Sequence, residues 1–213
     1  MTDSPAVSSA ERAYLHTKHL IIRGDLAGGQ LISEGQICEE MGISRTPVHE
    51  AFLRLAAEQL LVLSSRKGAV VAPLSPREVQ DLTEMRAAIE GAAAWRIVRE
   101  GGLSADDLTH LRSTLDRQRA AVLADDADAF IAADDEFHSD IIEAGNNPIA
   151  LHLFGQLRDR QQRIRNQLLR LRQGQLQPTF DDHARLLDLL EAGDADGFVT
   201  ALDAHLARHQ GIL

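Results

Sequence analysis

Helical periodicity runs through almost the whole chain of 213 residues, and this pattern limits the fold to a mainly α-helical one. Only two stretches look extended, residues 60–65 (LLVLSS) and residues 68–73 (GAVVAP). The turn-like sequence Arg66-Lys67-Gly68 separates them. The two stretches therefore predict one small β-hairpin, and the rest of the chain is predicted to be helix interrupted by stop signals.

The second part of the chain carries start and stop signals for about six helices. Capping residues, prolines at first helical positions and glycines after the last turn mark their ends. The predicted helices run from Ser75 to about Gly101, from Ser104, from about Asp126 to Gly145, from Asn147, from about Pro178 to Gly193, and from Asp194 to near His209. Such a succession predicts an all-α antiparallel helical bundle.

The distribution of charge divides the chain into two regions. The formal net charge is -10, yet residues 1–76 carry seven basic and eight acidic side chains, whereas residues 77–213 carry 15 and 24. We therefore expect two domains with different roles, residues 1–74 and residues 75–213. There is no run of 18 apolar residues and no signal-peptide pattern at the start, so a cytoplasmic protein without a membrane segment is expected.

Residues 33–55 predict two short helices joined by a turn that contains Gly42. Ser33 is expected to cap the first helix and Ser44 the second, which has an apolar stripe on one side. The stripe consists of Val48, Ala51, Phe52 and Leu55. With the hairpin as a wing, this pattern is typical of a DNA-binding winged helix-turn-helix, although an ordinary helical hairpin with a solvated polar face has the same spacing.

The acidic net charge does not decide between these alternatives, because phosphate contacts need only a local group of donors. The first domain offers such a group in Arg45, Arg54, Arg66 and Lys67.

The sequence from Gly24 to Pro73 resembles the winged helix-turn-helix of the GntR superfamily of bacterial transcription regulators. The resemblance is carried by SRTPV at 44–48, the E-A-x-x-R-L pattern at 50–55 and RKG at 66–68. It implies that Arg45 contacts operator bases or phosphates. The other positions that it assigns to DNA binding are Thr46, Arg54, Arg66, Lys67 and Gly68.

Two positions depart from the pattern of that superfamily. His49 stands where a second arginine is usual, and histidine is a poorer partner than arginine for the paired acceptors of guanine. His49 is therefore expected at the DNA surface with a changed operator preference. Gln59 stands where glycine is frequent, which predicts a modest change in the local turn.

Three histidines in the second region each share a helical stripe with apolar residues, so all three are predicted to face inward. The stripes are His138 with Ile131, Ile141 and Ile142; His183 with Leu186, Leu187 and Leu190; and His205 with Phe198, Leu202 and Leu206. Asp134 lies one turn before His138 on the same side, whereas Asp135 and Glu136 are expected to face solvent.

This arrangement has two interpretations. A single inward histidine is usually a hydrogen-bonded core residue, and periodicity alone leaves that alternative open. A divalent cation bound by three imidazoles and a carboxylate would compensate the cost of burying several polar rings.

Residues 77–213 also resemble the FCD domain, the ligand-sensing helical domain of the FadR subgroup of these regulators. The matching segments are DLTEMRAAIEGAAA (81–94), DDEFHSDIIEAGNNP (134–148) and DHARLLDLLEAGDADGFVTALDAHL (182–206). The resemblance implies a metal site formed by Asp134, His138, His183 and His205. Nitrogen and oxygen ligands suit zinc best here, with nickel or manganese as alternatives.

The resemblance further implies a homodimeric, effector-responsive repressor that binds a palindromic operator and senses a small organic acid at the metal. Arg86 is the candidate for holding the acid, and an ion pair with Glu90 four residues later is the alternative role. Two other functions remain possible at this point, a regulator that responds to metal alone and a metal-dependent enzyme fused to a DNA-binding domain. The enzyme is disfavoured because the sequence has no H-E-x-x-H motif and no obvious general base beside the histidines.

Overall fold

The computed structural model describes residues 7–64, 68–171 and 174–210. The chain divides into two compact units, Met1–Leu74 and Ser75–Leu213. In the described part of the first unit the elements are α1 (Ser9–Arg23), β1 (Leu31–Ile32), α2 (Glu34–Met41), α3 (Arg45–Ala57), β2 (Leu61–Ser64) and β3 (Gly68–Val71). In the described part of the second unit they are α4 (Pro76–Arg99), α5 (Ala105–Ala124), α6 (Ala127–Ala144), α7 (Pro148–Leu171), α8 (Leu176–Glu191) and α9 (Ala195–Gln210).

The mainly α-helical prediction is confirmed, and the pair α2–α3 has the predicted helix-turn-helix form. The Ser33 hydroxyl accepts a hydrogen bond from the Gln36 N–H, and Gly42 ends α2 in the left-handed conformation with φ of 66°. The predicted apolar stripe of α3 is buried in the core of this unit. Ser44 occupies the cap position of α3, but its side chain makes no capping hydrogen bond.

The predicted hairpin is present as β2 and β3, and a short strand that we did not predict, β1, extends it. The strand order is β1-β3-β2, and both pairs are antiparallel. A side chain at Gly68 would place its Cβ 2.1 Å from the Ile32 carbonyl oxygen, so glycine is required where β3 passes β1. Arg66 and Lys67, predicted at the wing tip, lie outside the described residues.

The six helices predicted for the second unit match α4 to α9 closely. The largest difference is at α8, which begins at Leu176 and includes Pro178 in its first turn, where proline is tolerated. One apolar core joins α4 to α9, with Phe137, Phe154 and Phe198 among its fully buried side chains. Within the described ranges, no helix combines the length and apolar character that crossing a bilayer requires.

Our predictions of which acidic residues and histidines face inward in this bundle agree with the structure, with one exception. His138, His183 and His205 are all buried, as predicted. Asp135 was predicted to face solvent, and this prediction is wrong, because only 1% of the residue is exposed. It packs against the polar side of α7, as described below, whereas Glu136 is half-buried and pairs with Arg117 near the surface.

Candidate metal centre and nucleic-acid interface

Three imidazoles from three different helices meet inside the second unit. His138 lies on α6, His183 on α8 and His205 on α9, and each offers a ligand atom within 4.8 Å of the others. Their ring centroids are 4.8 to 5.4 Å apart. Helices distant in sequence thus bring three potential nitrogen ligands to one point in the core.

The Nδ1 atoms of these imidazoles are held by oxygen acceptors. His138 Nδ1 lies 2.7 Å from Glu90 Oε2, and His183 Nδ1 lies 2.7 Å from Gln118 Oε1. A proton on Nδ1 leaves the lone pair on Nε2, the form that binds a metal ion. Among the described residues, no group hydrogen-bonds to Nε2 of His138 or of His183.

His205 is held in the same way by an acidic residue nearer the surface. Its Nδ1 lies 3.2 Å from Asp182 Oδ2, and Oδ1 of the same carboxylate accepts a hydrogen bond from Arg208. Asp182 of α8 therefore links the His205 imidazole to Arg208, an exposed arginine on the same helix as His205, α9. Support by a carboxylate or an amide oxygen is the usual arrangement behind a metal-binding histidine.

Asp134 lies beside the three imidazoles but is not one of the group that offers ligand atoms within 4.8 Å. Its Oδ1 is 3.5 Å from His183 Nε2, whereas its Oδ2 accepts a hydrogen bond of 2.5 Å from Arg165 of α7. One carboxylate oxygen thus faces the imidazoles while the other is engaged by a guanidinium. The predicted fourth ligand is close to the site and is held by Arg165.

The protonation states favour binding of a cation. Burial lowers the pKa of His183 to about 3, although the charge of Asp134 opposes this shift. Burial, assisted by the charge of Arg86, also lowers the pKa of His138 well below its usual value. Burial alone would raise the pKa of Asp134, but the charge of Arg165, together with those of the neighbouring histidines and Arg86, holds this pKa well below its usual range. At neutral pH the site therefore offers the neutral imidazoles of His138 and His183 and an ionised carboxylate.

The donor set fits a divalent ion that prefers nitrogen and oxygen ligands. Three imidazole nitrogens and one carboxylate oxygen make a four-ligand set of the kind that binds zinc, and nickel or manganese also accept such donors. Two buried Nε2 atoms without a hydrogen bond among the described residues are costly unless an ion occupies the space between them.

Arg86 is the candidate for holding an organic acid. It forms the ion pair with Glu90, four residues later, that was the alternative prediction. Its Nε donates to Glu90 Oε1 over 2.8 Å, and both residues are buried. Its Nη2 is also buried and has no hydrogen-bond partner among the residues that the structure describes. The arginine is thus paired on one side only, and it lies close enough to depress the pKa of His138.

A second group of buried charges lies beside the imidazoles, and sequence reasoning missed it. Arg165 is 1% exposed and donates to both Asp134 and Asp135 of α6. Arg158 and Gln162 also donate to Asp135. This contact explains why Asp135 faces the interior.

The candidate DNA-reading surface is the exposed start of α3. Arg45, Thr46 and His49 are all exposed in the first two turns of this helix. His49 Nδ1 lies 2.7 Å from Glu34 Oε1 of α2. Glu34 on α2 therefore orients the His49 side chain on α3.

Arg54, which the resemblance also assigns to DNA binding, contacts residues of α1 and the end of its own helix. Its Nη1 donates to Glu11 over 2.6 Å, its Nε lies 3.7 Å from Glu58, and its guanidinium stacks 3.5 Å above the Tyr14 ring. These contacts tie α3 to α1. Half of the Arg54 side chain remains exposed, so its contact with phosphate stays a prediction.

Two family profiles match nearly the whole chain. The family described as bacterial regulatory proteins, gntR family, matches residues 9–71, and the FCD domain family matches residues 81–208. The chain is a GntR-family regulator with an FCD domain. The resemblance seen in the sequence is thus confirmed, and the regulator is not an enzyme, because the family and its relatives are transcription regulators.

Curated relatives and a solved structure agree with this assignment. Over 141 residues the regulator is 33% identical to an uncharacterized HTH-type transcriptional regulator from the TAR-I ttuE-ttuC' intergenic region of Agrobacterium vitis, covering 64% of this chain and 82% of that protein. It is 28% identical over 182 residues to the gluconate operon transcriptional repressor of Bacillus licheniformis, covering 85% and 72% respectively. The structure of E. coli McbR/YncC has a TM-score of 0.76 with 25% identity and covers 94% of each chain.

Proposed function

We propose that this GntR-family regulator is a repressor that binds a palindromic operator as a homodimer and responds to a small organic acid at a metal ion in its FCD domain. The convergence of three buried imidazoles within 4.8 Å carries this proposal. Asp134 supplies an oxygen beside them, and zinc is the ion that these ligands suit best.

The balance of buried charge supports an anionic effector. Beside the imidazoles, two buried arginines, Arg86 and Arg165, pair with three buried carboxylates, those of Glu90, Asp134 and Asp135. A divalent cation added to this group would leave an excess of positive charge in a medium of low dielectric constant, which an anion on the metal would offset. The relatives named as gluconate operon repressors fit this idea, since gluconate is itself a carboxylate.

A regulator that responds to the metal alone is the second candidate, because the triad is complete without an organic ligand. Titration of operator binding with zinc, in the presence and absence of a series of carboxylic acids, separates the two. Our proposal requires that an acid shift the operator affinity of the zinc-loaded protein. An operator affinity that follows zinc and ignores every acid would favour the alternative.

Replacing Arg45 by alanine is expected to weaken operator binding by about 1 to 3 kcal/mol, because one direct contact to DNA is lost. Arg45 is exposed at the first position of α3, so the fold should not change. Fluorescence anisotropy with a labelled operator measures the affinity at a fixed salt concentration. Arg99→Ala, an exposed arginine of the FCD domain, is the matched control and should keep wild-type affinity; equal affinities for both variants would contradict the assigned reading helix.

Exposed apolar side chains on α4 and α7 support the proposed homodimer. Met85 and Trp95 are 46% and 50% exposed on α4, and Ile149 and Leu153 are 70% and 42% exposed on α7, which packs against α4. Ile149 and Leu153 are four residues apart and therefore share one face of α7, and exposed apolar side chains that share a face are typical of an interface. A second copy of the chain would cover them symmetrically.

Leu153→Glu is therefore expected to weaken dimerisation by roughly tenfold to hundredfold, because the twofold axis places the new charge in the interface twice. Light scattering over a concentration series measures the monomer–dimer equilibrium. Leu123→Glu changes a leucine that is 83% exposed on α5 and should leave the dimer intact. A Leu153→Glu protein as dimeric as the Leu123→Glu protein would place the interface elsewhere.

A further inference from the structure

Glu90 lies inside the FCD domain, and its two carboxylate oxygens serve different groups. Oε1 accepts a hydrogen bond from Arg86 Nε over 2.8 Å, and Oε2 lies 2.7 Å from His138 Nδ1. The residue is 0% exposed, so water does not screen either contact. The Glu90 carboxylate thus connects His138, a candidate metal ligand, to Arg86, whose Nη2 has no hydrogen-bond partner among the described residues.

The other two imidazoles are supported by groups of a different kind. Gln118, which holds His183, is a neutral amide, and its Nε2 donates to the Ala133 carbonyl. Asp182, which holds His205, pairs with an exposed arginine of α9. Of the three supports found in the described part of the chain, Glu90 is the one that contacts Arg86.

We propose that Glu90 is a positioning residue that couples the arginine side of the pocket to the metal side, so that a metal ion and an anion strengthen each other's binding. This inference rests on the metal pocket of the proposed function. It adds a second way, besides their direct contact, in which the metal ion and the anion change each other's affinity.

The direction of the coupling follows from the shared carboxylate. A cation on His138 Nε2 withdraws electron density from the ring and strengthens the Nδ1–H hydrogen bond to Glu90 Oε2. Negative charge is thereby drawn away from Arg86, whose guanidinium then attracts an anion more strongly. By thermodynamic linkage, an anion on Arg86 raises the affinity for the metal by the same factor.

Glu90→Gln tests the proposal, because it replaces one of the two carboxylate oxygens by an NH2 donor, so that either Arg86 Nε or His138 Nδ1 loses its own acceptor atom. Zinc affinity of the full-length protein is measured by competition with a chelating dye, with and without saturating acetate. In the wild type, acetate should raise zinc affinity by a factor in the usual range for linked sites, about 5- to 150-fold. In Glu90→Gln, zinc affinity should fall by about 10- to 100-fold, as for other groups that support a metal ligand, and the effect of acetate should shrink at least about fivefold.

Asp182→Asn is the matched control, because Asp182 supports His205 without contacting Arg86. This variant should also bind zinc more weakly but should keep the wild-type effect of acetate. Direct contact between acetate and zinc contributes equally in all three proteins, so the difference between the two variants reports on Glu90. If both variants weaken zinc binding and keep the full acetate effect, Glu90 is only a support for His138 and the coupling is refuted.

A wild-type protein that binds no zinc would instead refute the metal pocket itself, which is a different outcome. Glu90→Gln also leaves the buried charge of Arg86 without its partner, which could prevent folding. The double variant Arg86→Gln with Glu90→Gln removes both charges and should bind zinc about 10- to 100-fold more weakly than the wild type, with an acetate effect at least about fivefold smaller. A wild-type zinc affinity or a full acetate effect in the double variant would overturn the proposal.

Discussion

Replacing Arg165 by alanine is expected to destabilise the metal-free FCD domain by about 3 to 5 kcal/mol, the cost of removing one partner from a buried ion pair. Arg165 is 1% exposed, and its two Nη atoms donate to Asp134 and Asp135, which are equally buried. Its loss leaves two carboxylates without their main counter-charge in a region that water does not reach. Urea unfolding followed by circular dichroism measures the change in the free energy of unfolding.

Arg158→Ala is the matched control for this substitution. Arg158 also donates to Asp135, but 55% of its side chain is exposed, so its removal should cost less than about 1 kcal/mol. Zinc should restore part of the stability that Arg165→Ala loses, because a cation near Asp134 replaces the missing charge. Equal losses for the two arginine variants would show that Arg165 does not form the buried pair.

The parts of this regulator that the sequence predicted correctly are those encoded within a single element. The stripe of α3 and the inward faces of His138, His183 and His205 follow from apolar residues three and four positions apart. The starts of α4 and α5 follow from Ser75 and Ser104, capping residues that act within one turn. Periodicity also predicted that the three histidines lie inside the bundle. The packing of their three helices then brings the side chains together.

The parts that the sequence could not predict depend on partners far along the chain. Asp135 directly follows Asp134 and therefore points from a different side of α6. That position predicted a side chain exposed to solvent, but Arg165 of α7 pairs with it and buries it. The sequence from Arg158 to Arg165 holds several arginines, and nothing in it shows which one pairs with the two aspartates. The contacts of Arg54 with Glu11 and Tyr14 of α1 were not predicted for the same reason, since they have no local signal.

The strand β1 shows the same limit on a smaller scale. Leu31 and Ile32 are too short a stretch to give a strand pattern, and they become a strand only because Val70 and Ala69 of β3 pair with them. Similarly, Glu90 was recognisable as a partner for Arg86 from its spacing, but its second contact, with His138, required the packing of α4 against α6.

His183→Ala is expected to abolish stoichiometric zinc binding, because it removes one of the three converging imidazoles. Zinc at about 1,000 times its dissociation constant should stabilise the wild-type protein by about 4 kcal/mol, and this increment should vanish in the variant. The imidazole also stacks on Phe137, with ring centroids 4.8 Å apart, so the variant will lose some stability without metal as well. Comparing the zinc-dependent increments rather than the melting temperatures removes that contribution.

His110→Ala provides the matched control, since His110 is an exposed histidine of α5 that lies near Asp140 and Glu143 rather than in the triad. Elemental analysis after dialysis should find one zinc ion per chain in the wild type and in His110→Ala, and none in His183→Ala. If the zinc content and the zinc-dependent stabilisation of His183→Ala match those of the control, the ion binds elsewhere. The buried imidazoles would then be core residues held by Glu90, Gln118 and Asp182, and an effector site in this domain would need a different anchor.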